Sequence, residues 1–164
     1  MFDNFEKIVQ GKYDNIQIDY NLHTHNYLCG HATGTVSDYV KEAEKNGLKL
    51  IGISDHFAPK TLENTSPYIN KNTLDGYLSQ FDEIEHGDGI VVKKALESEY
   101  FANDAHVYES ILHKLDYLVL GQHYYFYDNR LKFVFFLEPE SEEEVFSYYD
   151  QLLAGIRSGY FKVL

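Results

Sequence analysis

Cysteine is nearly absent: Cys29 is the single one in 164 residues. An intrachain disulfide is therefore excluded, and a reducing compartment, the cytoplasm, is expected. There is no tryptophan, and only 3 prolines and 11 glycines. No stretch has the Pro-, Gly- or Ser-rich composition of a linker, and no internal repeat is visible, so residues 1–164 read as one domain. Positive charge is scarce, with 14 Lys and Arg against 26 Asp and Glu and a net charge of −12. So acidic a surface repels nucleic acid and anionic lipid, so neither a nucleic-acid nor a membrane partner is expected. Long apolar runs are missing as well. The longest, Phe133-Val134-Phe135-Phe136-Leu137, is far short of the ~20 residues of a membrane span. Met1–Lys7 lacks the basic segment and apolar run of a secretory leader.

What is present is an ordinary apolar fraction of 44% and a high aromatic content of 16%, with 15 Tyr and 11 Phe. Hydrophobic periodicity divides the chain into alternating elements. Ile16–Leu22 is a short strand. A helix opens at Thr35-Val36-Ser37-Asp38, carries Val36, Tyr39, Val40 and Ala43, and ends at Asn46-Gly47. Leu48–Ile53 is a strand, and Pro59 to Pro67 a polar loop. Leu74, Tyr77, Leu78, Phe81 and Ile84 mark a helix stopped by Gly87 and Gly89. Ile90-Val91-Val92 begins a strand that leads to Leu96-Glu97. His106 to Lys114 is a short helix, and Leu115–Leu120 another strand. Leu131–Leu137 is a strand or an insertion. Ser141 and Glu144 form a capping box before a helix bearing Val145, Tyr148, Tyr149, Leu152 and Ile156, which ends near Gly159. Phe161–Leu164 starts a further strand.

Strand and helix in alternation predict an α/β fold with a parallel sheet, open or closed into a barrel. In such folds the carboxyl ends of the strands carry the active site. Here those ends deliver His23 and His25, then His56, Glu97 and His123. His23 and His25, two apart on an extended segment, point the same way and can reach one cation. Glu97 can bridge two. Imidazole and carboxylate donors suit zinc, manganese or iron. His31 follows Cys29-Gly30 in a loop. Asp55 is expected to orient His56 or to pair nearby. Glu99 lies on the same strand face as Glu97, and spacing alone does not choose between them.

Other residues carry blander readings. His86, His106 and His113 are expected to be hydrogen-bonding surface residues. Cys29 is expected to be a small buried or loop thiol. Glu142-Glu143-Glu144 is expected to be a helix N-terminus that satisfies the dipole, without a role in chemistry.

Taken together, His23-Thr24-His25, His31, Gly52-Ile53-Ser54-Asp55-His56, Leu96-Glu97-Ser98-Glu99-Tyr100 and Gly121-Gln122-His123 resemble the successive motifs of the PHP superfamily, named for polymerase and histidinol phosphatase. His23 to His56 and Glu97–Phe101 are most similar to the histidinol-phosphatase branch. The resemblance runs in order over nearly the whole chain. It implies a distorted (β/α)7 barrel with up to three divalent metal ions at the carboxyl ends of the strands. His23 and His25 would bind the first ion and Glu97 would bridge the first and second. His123 would bind the second, and His31 and His56 the third. This resemblance is what favours Glu97 over Glu99. The family pattern also has a histidine on the fifth strand and a later Asp-x-His, whereas the sequence stops at Leu164. The expectation is therefore the N-terminal portion of the barrel, a domain and metal site incomplete at the C-terminus.

The implied chemistry is hydrolysis of a phosphate monoester, L-histidinol phosphate giving L-histidinol and phosphate in histidine biosynthesis. A metal-activated water would be the nucleophile, so no catalytic side chain is expected. The alternatives are another phosphomonoester as substrate, or a non-catalytic metal-binding fragment.

Overall fold

The computed structural model describes residues 18–64, 68–134 and 138–164. In chain order the elements are β1 (Tyr20–Asn21), α1 (Val36–Lys45), β2 (Leu50–His56), α2 (Leu74–Ser79), β3 (Val91–Ser98), α3 (Ala105–Ile111), β4 (Tyr117–Leu120), β5 (Tyr124–Tyr127), β6 (Arg130–Phe133) and α4 (Glu142–Ser158). Strands β1 to β4 pair in sequence order, all parallel, in a curled sheet that forms half of a barrel. Beyond β4, the Leu120 N–H donates to Val163 O at 2.9 Å and the Lys162 N–H to Leu118 O at 3.0 Å. Val163 thereby bridges Val119 in parallel, where a further strand was expected.

The main core lies between the sheet and α1–α3. It contains Val36, Val40, Ile51, Ile53, Leu74, Tyr77, Ile111 and Leu118. Tyr77 is buried there, its hydroxyl shared between Ile53 O at 2.9 Å and Ala95 O at 2.8 Å. Ala95, Tyr117 and Val119 form a smaller cluster with Leu22 and Val163 packed on it.

Local signals held where the chain's own neighbours satisfy the backbone. Helix α1 begins at Thr35, whose hydroxyl accepts the Asp38 N–H, while the Asp38 carboxylate accepts the Thr35 N–H. Both are donors the helix leaves orphaned. The Ser141 hydroxyl accepts the Glu144 N–H, but the Glu144 carboxylate accepts the Glu140 N–H rather than that of Ser141, so the expected box is half formed; Gly159 closes α4 in the left-handed conformation at φ 76°, which costs glycine nothing.

Several expectations are corrected. Strand β1 is two residues long, because the Asn21 side chain accepts the His23 N–H at 3.0 Å and turns the chain off the ladder; Ile16 and Gln17 lie outside the described residues. Strand β2 runs on through Ser54, Asp55 and His56, so His56 is its last residue rather than its successor. Helix α2 stops at Ser79, since the Gln80, Phe81 and Asp82 N–H groups bond three residues back, to Tyr77, Leu78 and Ser79. That tightens the chain into turns that still deliver Phe81 and Ile84 to the core. The Pro59–Pro67 loop contains a 3-10 turn at Lys60–Leu62 that buries Leu62; Thr65, Ser66 and Pro67 lie outside the described residues. Arg130–Phe133 belongs to an antiparallel hairpin with Tyr124–Tyr127, outside the parallel sheet, and residues 135–137 lie outside the described set. Its turn residues Asp128 and Asn129 have φ of 50° and 57°, as a two-residue hairpin requires. Finally, Tyr149 and Ile156 on α4 are exposed, while Gly155 and Glu144 are buried.

Candidate metal centre

Parallel pairing places every expected donor at one end of the sheet. His23 and His25 follow β1. The segment between them is clamped to β2: the Thr24 N–H donates to Ser54 Oγ at 3.1 Å, the Ser54 N–H donates to Thr24 O at 2.8 Å, and the Asn26 N–H donates to Asp55 Oδ1 at 2.9 Å. His56 pairs with Glu97 in strand register. After β4, the Gln122 side chain accepts the Tyr100 N–H at 2.9 Å and donates to Tyr124 O at 2.5 Å, which fixes the turn that carries His123. Gly121 leaves the room for Glu97: a β-carbon there would lie 1.8 Å from its Oε1.

Glu97 is the hub. Its Oε2 lies 3.0 Å from His23 Nε2, 3.1 Å from His25 Nε2 and 3.3 Å from His56 Nδ1, and its Oε1 lies 3.6 Å from His123 Nε2. The His31 ring sits 5.2 Å from that of His25 and 5.1 Å from that of His56. Among the described residues, four groups of donors lie close enough to share an ion: His23, His25 and Glu97; His56, Glu97 and His123; His25, His31 and His56; and His25, Cys29 and Asp55. The six expected ligands are thus all brought together. His25 joins the pair His31 and His56, and His56 also joins the group around His123, connections that spacing did not show.

The donor set fits divalent cations. Ligand atoms around a tetrahedral ion at about 2.0–2.1 Å stand about 3.3 Å apart, and the His23, His25 and His56 nitrogens crowd one carboxylate oxygen at 3.0–3.3 Å. His23 Nε2 and His25 Nε2 also face each other at 3.1 Å, a spacing that suits two ligands of one ion.

Electrostatics follow from burial and pairing. Burial pushes Glu97 up, but hydrogen bonds from His23 and His25 outweigh it and hold the carboxyl well below the usual range. Burial drives His56 down to about 3 despite Glu97, so the ring is neutral and its lone pair is free to bind an ion. Asp55 is pushed up to about 6 by the same desolvation, against the Asn26 N–H. The hydrogen bond to Glu97 raises His23.

Asp55 proves to be a neighbour of His25, with Oδ1 3.7 Å from its Nδ1; as adjacent residues of one strand, Asp55 and His56 point to opposite faces. Cys29 is a buried thiol, as expected, and donates to Asn26 O at 3.0 Å. His86, His106 and His113 join none of the donor groups among the described residues. Two side chains were not foreseen as partners. Tyr68 stacks on His56 with ring centroids 4.4 Å apart, and no spacing signal marked it. Glu99 Oε1 lies 3.1 Å from His123 Nδ1, a role that its position two residues after Glu97 left open. Glu144, expected only to satisfy a helix dipole, is buried and accepts from the Tyr125 hydroxyl and the Glu140 N–H.

The sequence matches the PHP domain family over residues 19–163. The fold is similar to a crystal structure from Listeria monocytogenes described as a "putative histidinol phosphatase", with a TM-score of 0.67 and 17% sequence identity. The alignment covers 88% of this chain and 64% of that one, so the chain spans less than two thirds of that protein's length. Such low identity compares folds alone. The match over residues 19–163 carries the assignment by itself: the chain belongs to the PHP domain family.

Proposed function

We propose that the chain carries the metal-binding part of a phosphoric monoester hydrolase whose substrate is L-histidinol phosphate, with zinc, manganese or iron held by His23, His25, His31, His56, Glu97 and His123. The convergence of three imidazole nitrogens on Glu97 Oε2 within 3.3 Å carries this reading. Membership of the PHP domain family and the likeness to the Listeria structure support it.

A phosphate monoester is an anion, and the chain has a net charge of −12. The carboxylates at the site, Asp55, Glu97 and Glu99, are each paired with histidine. When bound, divalent cations supply the missing positive field: they polarise phosphoryl oxygen and acidify water. Glu97, fixed in its ionised form, would help to hold the ions. Neutral His56 would offer a lone pair, and Asp55 would steady the His25 ring from its other side. The acidic surface favours a small metabolite over nucleic acid as partner. Among the described residues no helix is long and apolar enough to cross a membrane. The lone, buried Cys29 accords with the cytoplasm.

The test is to load the purified protein with zinc, manganese or iron, measure the ions retained, and assay phosphate release from L-histidinol phosphate and a panel of other phosphomonoesters. Metal retention with preferential turnover of L-histidinol phosphate is expected. Turnover of another ester reassigns the substrate. Retention without turnover leaves a metal-binding module, and failure to retain metal overturns the reading altogether.

A further inference from the structure

Glu99 lies just past the end of β3, and its side chain is 1% exposed. Its backbone is tightly held: the Tyr108 hydroxyl, on α3, donates to Glu99 O at 2.8 Å and accepts the Phe101 N–H at 3.1 Å. A buried carboxylate is costly unless it is paired. Among the described residues Glu99 makes one ion pair, Oε1 to His123 Nδ1 at 3.1 Å, and its Oε2 has no hydrogen-bond partner. It belongs to none of the four donor groups found among the described residues. The opposite nitrogen, His123 Nε2, faces Glu97 Oε1.

We infer that Glu99 is a positioning residue: it accepts the Nδ1–H of His123, fixes the ring's tautomer and aims the Nε2 lone pair at the position shared with His56 and Glu97. A neutral imidazole carries one proton, so a carboxylate that binds it at Nδ1 leaves Nε2 bare. Without Glu99, Nε2 would gain by carrying the proton itself and donating it to Glu97 Oε1. That tautomer cannot bind a cation. A carboxylate behind a ligating histidine also raises the basicity of the nitrogen that binds the ion. Glu97 and Glu99, alike in type and two residues apart, thus divide the work. The function proposed above supplies the metal; the inferred tautomer of His123 rests on its contact with Glu99.

The experiment uses nitrogen-15 histidine spectra of the metal-free protein, recorded where His123 is neutral, together with calorimetric titration of zinc. Wild type, Glu99→Gln and Glu99→Ala are compared. Wild type is expected to show His123 as the Nδ1–H tautomer. Glu99→Gln, whose amide oxygen still accepts, should keep that tautomer and bind zinc within a few-fold of wild type. Glu99→Ala should shift His123 towards the Nε2–H tautomer and weaken zinc binding roughly 10–100-fold. An Nε2–H tautomer in wild type overturns the inference, even if Glu99→Ala fails to fold. So does a folded Glu99→Ala protein with unchanged tautomer and affinity. If wild type shows the expected tautomer but takes up none of zinc, manganese or iron, the proposed function fails while the positioning of His123 stands.

Discussion

Gly121 stands directly against Glu97: a β-carbon at residue 121 would meet the Glu97 Oε1 at 1.8 Å and Cδ at 2.6 Å. Glu97 cannot retreat cheaply, because His23, His25 and His56 close on its other oxygen. Gly121→Ala should therefore displace the carboxylate. Overpacking of about 1–3 kcal/mol at this spot corresponds to roughly a 5- to 150-fold loss of metal affinity if it falls wholly on the bound state. Calorimetric titration with zinc checks this, and unchanged affinity would contradict the central place given to Glu97.

Gly52 is the corresponding close approach in β2. A β-carbon there would collide with the Tyr117 hydroxyl at 1.6 Å, and that hydroxyl donates to Leu22 O at 2.6 Å. Gly52→Ala should cost about 1–3 kcal/mol, and Tyr117→Phe about 1 kcal/mol. The double variant should be less destabilised than the sum, because removing the hydroxyl relieves part of the clash. Urea unfolding of the four proteins measures the coupling.

On α4, neighbouring residues should respond in opposite ways. Ile156 is 48% exposed, so Ile156→Glu should change stability by less than about 0.5 kcal/mol. At Gly155 a β-carbon would press on Leu120 Cδ2 at 2.8 Å and Tyr100 Cβ at 3.0 Å. Gly155→Ala should lower the unfolding midpoint clearly, despite the higher helix propensity of alanine.

The latch between the β5–β6 hairpin and α4 predicts acid sensitivity. The Glu140 N–H, the Tyr125 hydroxyl and Lys132 hold the Glu144 carboxyl below its usual value. Because the folded value is the lower one, the latch contributes full stability above the unfolded value of about 4.3 and loses it as pH falls through the folded value. Unfolding midpoints between about pH 7 and about pH 3 should fall less steeply in Glu144→Gln than in wild type. Equal slopes would show that Glu144 contributes nothing to the dependence.

Some of this was legible in the sequence because the deciding contacts are local. The Thr35–Asp38 box, the Gly159 cap and the strand-then-helix alternation each depend on residues a few positions apart. Ordered histidine and carboxylate motifs at strand ends were likewise readable, and so was the family. The hairpin at Tyr124–Phe133 was missed because its signal is a pair of turn residues, Asp128 and Asn129, without glycine. Tyr149 and Ile156 were misjudged because periodicity marks an apolar stripe but not which neighbour covers it.

The sequence by itself determined the donor types, their order and the register that carries each to the end of its strand, because alternation along an extended chain is a short-range property. Only the tertiary structure decided that, among the described residues, Glu97 meets four histidines while Glu99 meets one, that Asp55 sits behind His25, and that Glu144 is buried. Those outcomes depend on which strands lie side by side and how far the sheet curls. Contacts between distant segments set both, and no single segment encodes them.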